Sequence, residues 1–386
     1  MMKVSKRIFN LETETAFTVL AKANKLKLEG KDIINLGIGQ PDFPTPLNIV
    51  EAGIKALKDG HHGYTPSNGI IELREAVSKE IYRAYKENIS PENILITPGG
   101  KPVIFFATLI FGDSDKEIIY PDPGFPIYRS MIKYSGAKPV PMNLKEENNF
   151  EIDIDELSRL INDNTSLIII NNPNNPTGSF MNEQKIIDLV NLLEKYSHVT
   201  ILSDEIYSNI IFDKNTMPSL LKFESIRNRL IVLEGWSKTF CMTGWRLGWS
   251  FWPNKLIDIA NKLCVNDHSC PTSISQYAGI EALEGPKDEI HKIKNEFEKR
   301  RNFVHEELNK LPNINCFKPG GAFYAFPNVS KSNLTGKEYA DIALEKHGVA
   351  IVPGTSFGDD AKEFIRISYA NSIENIEKAI KRLSNI

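Results

Sequence analysis

Short apolar runs recur along the chain, each too brief for a helix and each closed by turn residues. Leu167-Ile168-Ile169-Ile170 stops at Asn171-Asn172-Pro173, Val199-Thr200-Ile201-Leu202 at Ser203-Asp204, and Leu230-Ile231-Val232-Leu233 at Glu234-Gly235. Runs of about four to eight apolar residues, without polar alternation, are strands covered on both faces. Helical spacing separates them: Ile186, Val190 and Leu193 share one face after the first run. Strands alternating with helices up to Trp252 predict an α/β domain with a mostly parallel sheet. In such sheets, ligands collect outside the carboxyl ends of the strands.

The remaining pattern extends this frame. Thr15 to Leu28 reads as a helix ended by Glu29-Gly30, and Leu73, Val77, Ile81 and Tyr85 mark another. Ile33 to Leu36, Asn93 to Thr97 and Glu117 to Tyr120 are strand-like. A long helix carries Ile290, Ile293, Phe297, Val304 and Leu308 on one face, and its Lys, Glu and Arg residues are expected mostly on a solvated one. Gly320 to Phe326 and Phe364 to Tyr369 read as strands of a smaller domain. The expected division is a large α/β domain over 47–285 and a small α+β domain from 1–46 and 286–386.

Composition excludes several classes. A formal charge of −3 over 386 residues offers no basic face for nucleic acid. The four cysteines form no C-x-x-C pair, so neither a metal site nor a disulfide framework is expected, and a reducing cytoplasm is. Near the N-terminus no apolar core of a signal peptide stands out, and the longest apolar run, Val103 to Phe111, is far short of the roughly 20 residues of a membrane span.

The chemistry gathers after the strands. Lys238 follows Leu230–Leu233 closely, and Arg246 brings a fixed positive charge eight residues later, in Ser237-Lys238-Thr239-Phe240-Cys241-Met242-Thr243-Gly244-Trp245-Arg246-Leu247-Gly248. A lysine nucleophile beside an anion site is the reading. Gly99-Gly100 opens a helix at Lys101-Pro102, where free N–H groups can hold an anion. Arg366 lies on the opposite face of its strand from Ile365 and Ile367; it is either an edge residue facing water or a carboxylate clamp.

Taken in order, these segments resemble the fold-type-I aminotransferases, enzymes that hold pyridoxal 5′-phosphate (PLP) on a lysine as a Schiff base. The resemblance rests on Gly39-Gln40-Pro41-Asp42-Phe43, Tyr64-Thr65-Pro66-Ser67-Asn68-Gly69, Asn172-Pro173-Asn174-Asn175-Pro176-Thr177-Gly178, Asp204-Glu205-Ile206-Tyr207, the Lys238 segment and Phe364-Ile365-Arg366-Ile367-Ser368. It implies Lys238 as the cofactor lysine and base, with Asp204, not Glu205, on the pyridine nitrogen. Tyr207 and Asn175 would face the phenolic oxygen, and Phe125 would stack on the ring. Gly100, Lys101, Ser237 and Arg246 would hold the phosphate, joined by Tyr64 from the partner of an obligate homodimer. Gly39 and Arg366, with Asn175, would meet the substrate. Pro102 departs from the family pattern, because it has no N–H to offer the phosphate.

The resemblance implies ping-pong exchange between an L-amino acid and a 2-oxo acid. Lys101 points either to an acidic side chain, hence aspartate or glutamate with 2-oxoglutarate, or to the phosphate alone. A PLP-dependent carbon–sulfur β-lyase uses the same parts, and a non-catalytic PLP-sensing module is the reading from another class. His268 is either a residue that reaches the partner's site or, more commonly for such residues, an interface or loop histidine.

Overall fold

Residues 3–386 are described by the computed structural model. The apolar runs pair as the pattern requires. Seven strands form the main sheet: β2 (Ile94–Thr97), β3 (Glu117–Asp122), β4 (Lys138–Asn143), β5 (Thr165–Asn171), β6 (Thr200–Asp204), β7 (Leu230–Gly235) and β8 (Gly248–Phe251). Their order is β2-β8-β7-β6-β5-β3-β4. Strands β4, β3, β5, β6 and β7 pair in parallel, and β8 runs antiparallel to both β7 and β2. Strand β1 (Ile34–Asn35) pairs with β10 (Val349–Ala350), and β12 (Ile365–Ser368) lies between β11 (Val352–Pro353) and β9 (Tyr324–Ala325).

The helices are α1 (Thr15–Leu28), α2 (Leu47–Lys58), α3 (Ile71–Tyr85), α4 (Lys101–Phe111), α5 (Ile127–Ser135), α6 (Ile154–Leu160) and α7 (Glu183–Leu193). They continue with α8 (Glu224–Arg227), α9 (Trp236–Thr239), α10 (Asn254–His268), α11 (Ser273–Glu284), α12 (Asp288–Asn309), α13 (Gly336–Glu345) and α14 (Ile373–Leu383). None is long and apolar enough to cross a membrane, among the described residues.

The period of two along each strand divides the core into two layers. Ile168, Ile170, Ile201, Leu230 and Val232 pack against Leu73 and Val77 of α3, Leu189 and Leu193 of α7, and Ala278 of α11. Leu167, Ile169, Leu202, Ile231 and Leu233 face the other way, onto Val103 and Phe106 of α4, Tyr128 and Ile132 of α5, and Cys264 of α10. Each such side chain contributes about 1.5–3 kcal/mol on burial, which fixes strand register and so the strand ends. A separate cluster joins Phe297, Val304 and Leu308 of α12 to Phe323, Ile365, Ile367 and Ile376.

Two expectations change, and one alternative is removed. Arg300 and Arg301 of α12 are buried rather than solvated, at 5% and 0% exposure. Arg301 meets Asp213 at 2.8 Å and the Pro319 carbonyl at 2.6 Å, while Arg300 meets Asp42 at 2.7 Å. A buried guanidinium needs such partners. Of Gly320 to Phe326, only Tyr324–Ala325 is strand, because the Gly320 and Gly321 N–H groups donate to the Gly178 carbonyl instead. Arg366 is not an edge residue: β12 is the middle strand of its sheet, and the side chain is 4% exposed.

Candidate active site

The carboxyl ends of β5, β6 and β7 open into one cavity of about 410 Å³. Asn171 and Asp204 are the last residues of β5 and β6, and β7 runs straight into the short helix α9, which carries Ser237 and Lys238. The cavity is lined by Gly39, Gly100, Lys101 and Phe125 from the first third of the chain. Asn175, Asp204, Tyr207, Ser237, Lys238, Arg246 and Arg366 complete the convergence. Tyr64 is not brought in: it is 93% exposed. His268 also lies apart, bonded to Asp267 at 2.9 Å and stacked against Phe106.

Lys238 sits within reach of the Gly39 backbone. Its ammonium donates to the Gly39 carbonyl oxygen at 2.6 Å rather than to a carboxylate. Burial, then the positive charges of Arg366 and Arg246, partly offset by Glu14, bring its pKa down to about 8. A Cβ on Gly39 would stand 2.1 Å from the Tyr324 hydroxyl, so only glycine lets this backbone approach. Tyr324 in turn shares a 2.8 Å hydrogen bond with the Tyr207 hydroxyl.

Asp204 is 4% exposed. It accepts from the Tyr128 hydroxyl at 2.6 Å and from the Ile206 N–H at 3.2 Å. Neither donor is a cation, and burial pushes the carboxyl up to about 6. Glu205, its neighbour, points elsewhere: it accepts from Ser203 at 2.9 Å and from the Leu220 N–H at 3.2 Å, and burial lifts it to about 7.

Arg366 donates to Asn175 Oδ1 at 3.0 Å and to the Gly37 carbonyl at 2.6 Å, between the rings of Tyr324 and Phe357. Its Nε is buried without a partner among the described residues. At the opposite end, Gly99 turns with φ +84° and would strike Arg246 Nη2 if it bore a Cβ. That close packing sets the guanidinium beside the N-terminus of α4, where Arg246 is held by the Thr243 carbonyl at 2.8 Å.

Three contributors escaped the sequence reading. Tyr128, Tyr324 and Glu14 all line the cavity. Tyr128 lies in α5, three residues after Phe125, where no strand end or sequence pattern marks its hydroxyl. Glu14 precedes α1 and pairs with Lys101 across 87 positions of sequence, a contact that no local spacing signals.

A half-buried lysine and a buried aspartate, each hydrogen-bonded to no opposite charge among the described residues, and two arginines at opposite ends define a site for a small polyanionic group in an α/β enzyme. Residues 31–383 match the model of the family "Aminotransferase class I and II". An aspartate aminotransferase of Bacillus subtilis (strain 168) is 34% identical over 388 residues, 99% of this chain and 98% of that one. A (5-formylfuran-3-yl)methyl phosphate transaminase of Methanocaldococcus jannaschii is 38% identical over 383 residues, 98% of each. The solved structure of aspartate aminotransferase from Thermus thermophilus with maleate superposes with a TM-score of 0.94 at 30% identity, covering 100% of both chains. The chain therefore belongs to the class I and II aminotransferases, PLP-dependent enzymes that exchange amino groups between amino acids and oxo acids.

The residues fit that cofactor. An ionised Asp204 would gain from a protonated ring nitrogen the charge-assisted partner that Tyr128 and the Ile206 N–H do not supply. A phosphate would likewise suit the Gly100 and Lys101 N–H groups at the start of α4, the buried Ser237 and the Arg246 guanidinium.

Proposed function

We propose that the chain exchanges the amino group of aspartate or glutamate with 2-oxoglutarate by a ping-pong route, with Lys238 as the base. The carrying observation is that Lys238, Asp204 and Arg366, 34 and 128 positions from Lys238 respectively, line one cavity. PLP, when bound, supplies an electron sink for the bonds at the substrate Cα. Lys238 takes the proton from Cα of the amino acid and returns one to Cα when the second oxo acid is converted. Its pKa near 8 leaves an appreciable share of free amine around neutral pH.

Asp204 would keep its negative charge against a bound cofactor ring, and Tyr128 holds that carboxylate in place. Tyr207 and Asn175 would orient the ring's oxygen side, Phe125 would cover its face, and Gly100, Lys101, Ser237 and Arg246 would bind its phosphate. Arg366 turns its fork to the substrate α-carboxylate, with Gly39 giving backbone room. Lys101, with a side chain 44% exposed, reaches an acidic substrate side chain. The relatives named for aspartate, and the dicarboxylate maleate in the Thermus thermophilus structure, support that choice.

Residues 47–285 form the large domain in this reading, with 1–46 and 286–386 as the small one. Tyr64 completes the partner's phosphate site in a homodimer. Its 93% exposure supports this, as do the exposed Phe105 and Leu109 of α4 and Ile259 and Val265 of α10. The four unpaired cysteines suit a cytoplasmic protein.

The test is Lys238→Ala. Borohydride treatment of wild-type holoenzyme should label Lys238 alone, and the variant should lose both the label and the amino-acid half-reaction. A variant that keeps either one removes Lys238 from its role.

A further inference from the structure

The Lys101 ammonium is not free. Its partner is the carboxylate of Glu14, in a pair that sits at the cavity wall with Phe17 and Phe125 on either side of the lysine. The two side chains differ in cover: Glu14 is 15% exposed and Lys101 44%. Glu14 therefore holds its charge in the better-shielded position, where an ion pair is less screened.

Glu14 has other outlets that it does not use. It is the N-cap residue of α1, yet its side chain makes no bond to the helix N–H groups. Nor is it needed to moor the N-terminal segment. Glu12 does that: it meets Arg129 at 2.9 Å and Lys133 at 2.6 Å, and its N–H donates to Ser130 Oγ at 2.9 Å. The segment is fastened to α5 two residues before Glu14, and the Glu14 carboxylate is left to face into the site. There it acts on other cations too, opposing the loss of charge at Lys238 and Arg366.

The geometry points to Glu14 as a specificity-determining residue: an internal carboxylate that occupies Lys101 and competes with the acidic side chain of a substrate. This rests on the proposal that Lys101 receives that side chain. A substrate ending in a carboxylate must displace Glu14 or share the lysine with it. A substrate with a neutral side chain leaves the pair intact and lies against Phe17 and Phe125. Glu14 thus narrows the preference for acidic over neutral side chains below what a lone lysine would give. Specificity is a difference of affinities, and a built-in competitor lowers one arm of that difference.

The experiment compares an unreactive dicarboxylate, maleate, with an unreactive monocarboxylate of like size, crotonate. Each is titrated into holoenzyme by calorimetry, so that no turnover enters. Glu14→Gln keeps the side-chain shape and removes the charge. It should tighten maleate about fivefold, the scale of a partly exposed ion pair, and leave crotonate within about twofold. Lys101→Gln should weaken maleate relative to crotonate. In the Lys101→Gln background, Glu14→Gln should no longer favour maleate.

An equal effect of Glu14→Gln on both ligands overturns the inference, as does an effect that survives the loss of Lys101. If Lys101→Gln lowers the maleate-to-crotonate ratio but Glu14→Gln does not raise it, the acidic site stands and only the competitor falls. If Lys101→Gln leaves the ratio alone, the acidic reading itself fails and takes the competitor with it.

Discussion

Replacing Asp204 by asparagine isolates the electrostatics at the floor of the site. The carboxyl is 4% exposed, and burial lifts its pKa from 3.8 to about 6. Each unit is worth about 1.4 kcal/mol, so keeping Asp204 ionised in the cofactor-free fold costs about 3 kcal/mol. The sign follows from linkage: a carboxyl whose pKa is higher folded than unfolded binds more protons in the native state. Its contribution to stability is complete below about pH 4 and is lost as pH rises through about 6. Asparagine has the same shape and stays neutral throughout. Cofactor-free Asp204→Asn should therefore be more stable than wild type at about pH 8, by up to about 3 kcal/mol, and its advantage should be smaller by about 1.4 kcal/mol at about pH 5. Urea unfolding at fixed protein concentration reads this directly. With the cofactor present the order reverses: the variant should bind it less tightly, and transamination should fall by at least about a hundredfold. An advantage of equal size at both pH values, or a variant less stable at about pH 8, would refute the reasoning, because the carboxylate would then carry no burial penalty for a cation to relieve.

Arg366→Leu should raise KM for every amino acid by about tenfold or more, since a charge-assisted pair to a carboxylate is worth about 1.5–3 kcal/mol; steady-state kinetics with an unchanged KM would assign the α-carboxylate to another group. Gly39→Ala should lower kcat/KM, because its Cβ would stand 2.1 Å from the Tyr324 hydroxyl. Tyr324→Phe in the same chain should restore part of that loss; a fully active Gly39→Ala would show that the loop relaxes without disturbing the site.

Much of the site could be read from the chain because its residues sit where backbone geometry is demanding. Asn175, Asp204 and Lys238 each follow a buried apolar strand, and the end of a parallel strand is a position that hydrophobic spacing alone locates. Arg366 was visible as a charge among apolar neighbours. Strand β4 was not: Pro139 and Pro141 break its pattern, and they are tolerated because β4 is the outermost strand of the sheet. Strand β8 was equally hidden, because Gly248 must fit against the Gly99 backbone and so carries no apolar signal.

By itself, the sequence determined the alternation of strands and helices and the mostly parallel sheet, since these follow from periodicity and local turn chemistry; Lys238 stood out through the resemblance of its segment to a known family. Only the tertiary structure decided which charges meet. Glu14 with Lys101, Tyr128 with Asp204, and Arg366 with Asn175 and Gly37 are contacts between segments 76 to 329 positions apart. Coulomb energy and desolvation depend on distance through space and on what excludes water, and neither quantity is written in the spacing of residues along a chain.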